Sequence, residues 1–304
     1  MCGWFGLAAF AAAPSLAAAD AVVSTIHGPF AFRATALDQR LVNALQPLAD
    51  RALDRLTSDL GGSSVGPITV VLAPDDRAFN QFQSPGAPLP EWATGVAYPR
   101  TMTMVIRSYH VTGTPRQDIG TIFVHELTHL LLGARFGDRP VPAWLHEGLA
   151  MYEAGEWRFE HEWDLVWAVL GNNVPRLDTV TESFPVSEAE ARIAYLLSEA
   201  LVGYMITTYG RDGFSAFVDR LAEGQSLEPA LIRAFGVTQS RFEERWRAHL
   251  DRRYAWIPLI TSSSAVWVIM MAVAFAAYAA RRRRNRKIVE AWEEEERRPE
   301  QGPP

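Results

Sequence analysis

Cysteine is nearly absent from this chain of 304 residues, since Cys2 is the only one. A single thiol excludes an intrachain disulfide and any metal site that needs several cysteines. An excess of positive charge is also missing, because the formal net charge is −6. General nucleic-acid binders are usually basic, so no nucleic-acid partner is expected. The chain is long enough for one good-sized core with accessory segments.

Charged side chains are missing from residues 1–19, where an apolar stretch, Trp4–Ala13, precedes Ala17-Ala18-Ala19. An apolar segment that ends in an A-x-A site is typical of a secretory signal peptide. The first residues hold no Lys or Arg, which leaves an uncleaved N-terminal anchor as the alternative. We therefore expect a signal peptide at 1–19 and the main domain at 20–253.

Charge is also missing from Trp256–Ala280, and six positive charges follow within Arg281–Lys287. A helix of that length, at ~1.5 Å per residue, spans the ~30 Å hydrocarbon core of a bilayer. Basic residues favour the cytoplasmic side of a membrane helix. The pattern predicts a single-pass cell-membrane protein with a transmembrane helix at 256–280, a cytoplasmic tail at 281–304 that is basic and then acidic, and residues 20–253 outside the cytoplasm. A buried core helix is the alternative.

Between the termini, hydrophobic periodicity predicts strands first and helices later. Strands are expected near residues 20–35, 67–72 and 101–106, with an amphipathic helix over 37–60 and a long loop over 74–100. From Asp118 onward the pattern is helical. The expected fold class is α+β, with a small N-terminal α/β lobe that has a mixed sheet and a helical C-terminal lobe.

One short motif carries chemistry: His125-Glu126-Leu127-Thr128-His129, inside a predicted helix. Histidines four positions apart share one helix face, so both imidazoles can reach one metal ion. Glu126, beside the first histidine, can act as general base on a metal-activated water. The motif predicts a Zn²⁺ site.

A catalytic zinc needs three protein ligands and an open position. The next predicted helix carries Trp144-Leu145-His146-Glu147-Gly148, and Glu147 lies 18 positions after His129. His146 competes with Glu147 for the role of third ligand. Adjacent residues on a helix point about 100° apart, so only one of the two is expected to face the metal.

The two motifs, HELTH and PAWLHEGLAMYEAG, resemble the gluzincin metallopeptidases of the thermolysin-like superfamily, and more narrowly the bacterial peptidase MA-like domain. The resemblance extends in weaker form over residues 25–253. It implies a zincin-like fold, zinc ligands His125, His129 and Glu147, and Glu126 as the base. It also implies a strand that pairs with an extended substrate, for which we expect Met102–Ile106.

The chain departs from thermolysin at one place. Thermolysin has an aspartate four residues after its glutamate ligand, as a partner for a histidine, and here that place is Met151. Glu153 or a backbone carbonyl would have to orient the histidine instead. For the donor that stabilises the oxyanion we expect Tyr195, with core packing of its ring as the alternative; Tyr152 and His161 are weaker candidates.

The sequence thus predicts a membrane-anchored zinc metallopeptidase that hydrolyses peptide bonds in a protein or peptide substrate. The alternatives are a catalytically inactive zincin-fold binding or assembly protein and a zinc hydrolase that acts on another bond. Retention of Glu126 favours the enzyme, because a binding protein has no need of a base beside its metal. The sequence does not indicate the oligomeric state.

Overall fold

The structure is a computed structural model that describes residues 22–60, 66–82, 93–108, 118–155, 165–166, 169, 171, 174–182, 188–254 and 263–296. The signal peptide expected at residues 1–19 lies outside these ranges. The location of the main domain outside the cytoplasm stays a prediction.

The N-terminal part forms a five-stranded mixed sheet. In chain order the strands are β1 (Val22–His27), β2 (Phe30–Thr35), β3 (Ile68–Ala73), β4 (Gly95–Tyr98) and β5 (Thr103–Arg107). They lie side by side in the order β1-β2-β3-β5-β4. β2, β3 and β5 run parallel, while β1 and β4 pair antiparallel at the two edges. This confirms the predicted mixed sheet.

The centre of the sheet consists of β3 and β5. Every residue of β3 except Thr69 is buried, as are Met104–Arg107 of β5. A continuous run of β-branched and aliphatic residues is typical of a parallel strand with both faces covered. The region 74–100, predicted as one long loop, instead contains α2 (Asp76–Asn80) and the edge strand β4.

Helices make up most of the remaining described chain. Their bounds are α1 (Gln39–Leu60), α3 (Ile119–Phe136), α4 (Ala143–Ala154), α5 (Leu177–Glu182), α6 (Glu188–Ala222), α7 (Leu227–Phe235), α8 (Gln239–Tyr254) and α9 (Ser263–Glu296). α6 is interrupted at Gly210, whose backbone angles, φ 77° and ψ 166°, are not helical. The succession of a mixed sheet and a helical lobe agrees with the expected α+β class.

The core of the fold is built around α3. Fourteen of its eighteen residues are buried, so the helix is covered on nearly every side. Its Phe123 ring lies 5.8 Å from the ring of Phe30 and 6.4 Å from that of Phe32, both on β2. α1 and α4 also pack against α3. The predicted metal-binding motif therefore lies at the centre of the domain.

The chain divides into two compact units, Met1–Leu250 and Asp251–Pro304. The second contains all of α9, whose described apolar side chains are largely exposed.

The prediction of a transmembrane helix at 256–280 is wrong. α9 runs Ser263–Glu296, and its described apolar side chains extend from Trp267 to Ala280, where Arg281 follows. Such a run measures about 21 Å at ~1.5 Å per residue, which is shorter than the ~30 Å hydrocarbon core. In the part of the chain that the structure describes, no helix has the length and apolar character to cross a membrane. The membrane partner expected through this helix therefore has no support.

Candidate metal centre

His125 and His129 lie one turn apart on α3. Their imidazole centroids are 4.6 Å apart, and the rings are nearly perpendicular at 87°. His129 is buried, whereas His125 keeps about a fifth of its side chain exposed. The four-residue spacing places both rings on one helix face, as the motif predicts.

Glu147 on α4 completes a three-residue cluster with the two histidines. Its Oε2 atom lies 3.8 Å from Nε2 of His125 and 3.9 Å from Nε2 of His129. The three donor atoms all lie within 4.8 Å of one another. Tetrahedral zinc, with bonds of about 2.0–2.2 Å, separates its donors by roughly 3.4 Å. Small side-chain movements would bring these donors to that spacing, so the residues fit zinc.

Burial keeps His129 in the form that binds a metal. The pKa of His129 lies well below its usual value of 6.5, because burial disfavours the imidazolium and because His146 and His125 lie nearby. A neutral imidazole has a lone pair for a metal ion, whereas a protonated one has none. The ring is therefore ready to bind without first losing a proton at neutral pH.

A close helix contact fixes α4 beside the site. A Cβ atom at Gly148 would lie only 2.5 Å from the backbone oxygen of Ser198 on α6. Only glycine permits that approach, because contacts under 3.0 Å are essentially never found for a real Cβ. Since Gly148 directly follows Glu147, this contact sets the position of the Glu147 carboxylate.

The expectation that only one of His146 and Glu147 faces the site is wrong, because the His146 side chain also lies at the site. Its ring stacks on the ring of His129, with centroids 3.8 Å apart and planes 11° apart. Its Nδ1 atom lies 3.2 Å from Oε1 of Glu147. The three converging donors nevertheless come from His125, His129 and Glu147.

Glu126 is buried, and its carboxylate lies against β4. A Cβ atom at Gly95 would be 2.5 Å from Oε1 of Glu126. Burial, and secondly the charge of Glu126, raises the pKa of Tyr98 at the other end of β4 to about 12. The Tyr98 hydroxyl donates a hydrogen bond to the carbonyl oxygen of Phe82, which anchors the strand.

A sequence model of the Peptidase MA superfamily matches residues 48–252, about two thirds of the chain. The chain belongs to the Peptidase MA superfamily. The match contains both α3 and α4, and it confirms the gluzincin resemblance. Membership of a peptidase superfamily agrees with the His–His–Glu cluster, whose donor atoms could hold a metal ion.

Among solved structures, this Peptidase MA chain is similar to a two-domain M1 zinc metallopeptidase, a mutant bound to L-tryptophan. The identity is 14% and the TM-score is 0.42; the alignment covers 75% of this chain and 51% of that one. The chain therefore spans about half the length of that structure. No match was found among the curated proteins.

The strand expected to pair with substrate is not at the edge of the sheet. β5, which contains most of Met102–Ile106, lies between β3 and β4. Its backbone hydrogen-bonding groups are used on both sides, so it has none to offer a peptide. The edge strand beside Glu126 is β4, which the sequence analysis missed because its four residues lie in a stretch rich in Pro and Gly.

Glu153 is not a partner of a histidine at this metal centre. Its Oε2 atom lies 2.7 Å from Nε of Arg55 on α1, and its Oε1 atom faces Arg211 on α6. Arg211 also pairs with the buried Asp59 of α1. These ion pairs join the C-terminal end of α4 to α1 and α6.

Of the three candidates for oxyanion stabilisation, the structure describes Tyr195 and Tyr152. Tyr195 is half-buried on α6, one helical turn before Ser198, whose backbone touches α4. Tyr152 packs its ring edge against Gly203 of α6, at 3.3 Å from the position of a Cβ there. His161 lies outside the described residues. The role of Tyr195 stays a prediction.

Proposed function

We propose that this chain is a zinc-dependent peptidase that hydrolyses peptide bonds, with Glu126 as the general base. The observation that carries the proposal is the convergence of three donors from two helices. His125, His129 and Glu147 supply two nitrogens and one oxygen, a ligand set that suits a catalytic zinc site. A zinc ion held by these three residues would act as a Lewis acid toward the peptide carbonyl and toward a water nucleophile.

The proposed work of Glu126 is proton transfer. Glu126 directly follows His125 in the chain, and its carboxylate is buried against Gly95. It accepts a proton from the attacking water and later delivers that proton to the leaving amine. We assign Tyr195 to the oxyanion, as a hydroxyl donor from α6.

The substrate is proposed to be an extended peptide that pairs with β4. This strand lies at the edge of the described sheet, and peptides bind edge strands through main-chain hydrogen bonds. Glu126, the proposed base, lies against Gly95 of this edge strand, which supports the proposal. Such pairing would bring a peptide backbone, rather than one particular side chain, to the base.

Digestion of a peptide library by the purified full chain tests the proposal. We expect cleavage products by mass spectrometry, their loss with a zinc chelator, and their return when zinc is added. Products that persist unchanged with the chelator would exclude a zinc peptidase. Zinc binding without cleavage of any peptide would favour the binding or assembly alternative.

A further inference from the structure

His146 touches two of the three residues that converge on the metal centre. Its ring lies flat against the ring of His129, and its Nδ1 atom lies within hydrogen-bonding distance of Oε1 of Glu147. We propose that His146 is a positioning residue, which fixes Glu147 and His129 in the arrangement that a zinc ion needs. The proposal rests on the zinc site proposed above, although its test does not require catalysis.

The contact with Glu147 assigns a separate task to each carboxylate oxygen. A carboxylate only accepts hydrogen bonds, so Nδ1 of His146 carries the proton and donates it to Oε1. The other oxygen, Oε2, is the one that lies 3.8 and 3.9 Å from the two histidine nitrogens. His146 therefore restrains rotation of the carboxylate and leaves one oxygen for the metal.

The contact with His129 replaces a restraint that metal-binding histidines normally have. Such a histidine almost always donates its second ring N–H to a carboxylate, a carbonyl or a water. In the described residues, Nδ1 of His129 is buried and has no hydrogen-bond partner. Parallel stacking on His146, at 3.8 Å and 11°, limits the tilt of the ring instead.

Within the described residues, the two positions considered above do not orient a histidine of the site. Met151 stands where thermolysin has its orienting aspartate, and Glu153 pairs with Arg55. His146 is adjacent to the ligand Glu147 on the same helix, and α4 is held beside the site by the Gly148–Ser198 contact. The same backbone contact therefore positions both His146 and Glu147.

Three substitutions in the full chain separate the two contacts. His146→Ala removes both, His146→Asn keeps a short N–H donor for Glu147, and His146→Phe keeps a ring for stacking. Zinc dissociation constants come from competition with a chromophoric chelator, and the visible spectrum of the cobalt-substituted protein reports ligand geometry. His27 of β1, which pairs with Asp50 of α1 and is not one of the three clustered residues, provides the control His27→Ala.

We expect His146→Ala to weaken zinc binding by about 10–100-fold, the usual effect of losing a residue that orients ligands. Asn and Phe at this position should each recover part of the loss, and the cobalt spectrum of His146→Ala should change. His27→Ala should bind like the wild type. The folded fraction of each variant without metal, measured by circular dichroism, separates weakened binding from unfolding.

Two results would overturn the proposal. One is zinc binding by His146→Ala within about threefold of the wild type, with an unchanged cobalt spectrum. The other is loss of zinc from His146→Ala while Glu147→Gln binds normally, because His146 would then be a ligand itself. A wild type that binds zinc and cleaves no peptide would remove the proposed activity without affecting this inference.

Discussion

Gly95 of β4 lies so close to Glu126 of α3 that a single added carbon would meet the carboxylate. The built Cβ position is 2.5 Å from Oε1, 2.8 Å from Cγ and 2.9 Å from Cδ of Glu126. The edge strand and the proposed base therefore have fixed positions relative to each other.

Gly95→Ala should lower peptidase activity while leaving zinc binding nearly unchanged. The added methyl group displaces the Glu126 carboxylate, and a shift of about 1 Å at a catalytic group can lower the rate by roughly a hundredfold. Activity and zinc content of the purified variant are the measurements. Gly66→Ala is the matched control, because no atom of the described residues lies within 4 Å of a Cβ there. Equal activity in both variants would show that the contact does not position the base.

Glu126→Gln should reduce cleavage by at least about a hundredfold, because general-base catalysis typically contributes 10²–10⁴-fold. The amide keeps the size of the side chain, so folding and zinc content should remain close to those of the wild type. Glu147→Gln should instead weaken zinc binding, since a neutral amide is a poor ligand for a dication. Steady-state kinetics and metal analysis separate the two outcomes. Full proteolytic activity of Glu126→Gln would contradict the mechanism.

Tyr195→Phe tests the assignment of the oxyanion donor. If the hydroxyl donates to the oxyanion, kcat should fall by about 10²–10³-fold with little change in KM. Tyr152→Phe is the comparison, because that ring packs against Gly203. A kcat for Tyr195→Phe within a few-fold of the wild type would mean that Tyr195 only packs in the core.

Arg55→Met should destabilise the fold in a pH-dependent way. Burial raises the pKa of the Glu153 carboxyl, while Arg55 lowers it. Without Arg55 the folded-state pKa rises further above the value of 4.5 for an unperturbed carboxyl. A raised folded pKa means that stability is retained below the unfolded pKa and lost as the pH rises towards the folded one.

Because Arg55 is itself 44% exposed and Arg211 still faces Glu153, the deficit in unfolding free energy should be about 1–2 kcal/mol near neutral pH and smaller at ~pH 4.5. Denaturant unfolding at several pH values measures it. The control is Arg51→Met, an exposed arginine one turn earlier on α1, which should have little effect. A deficit that does not change with pH would show that Glu153 is not the group that responds.

The sequence predicted the part of the site that depends on one helix. His125 and His129 share a face because the helical repeat fixes the spacing, whatever surrounds the helix. Glu147 needed the family resemblance, since no local rule relates residues 18 positions apart on different helices. The side-by-side placement of His146 and His129 depends on packing between α3 and α4, so the repeat of α4 alone predicted it wrongly.

For the sheet and the C-terminal helix too, the sequence pattern predicted only part of the structure. Hydrophobic runs predicted β3 and β5 because buried parallel strands are long and apolar. β4 has only four residues, all half-buried, and depends on pairing with β5. The uncharged run that begins at Trp256 was used to set the bounds of the last helix. Absence of charge does not determine where a helix begins, and the helix that the structure describes begins at Ser263.

The burial of α3 has a consequence for how the metal is acquired. Amide groups of a helix covered on nearly every side exchange their hydrogens chiefly through global unfolding. The backbone that carries His125 and His129 would then be ordered before any ion arrives, and binding would require little loss of conformational entropy. Hydrogen-exchange rates in α3 should accordingly be slow in the metal-free protein, and fast exchange there would show that the ion organises its own site.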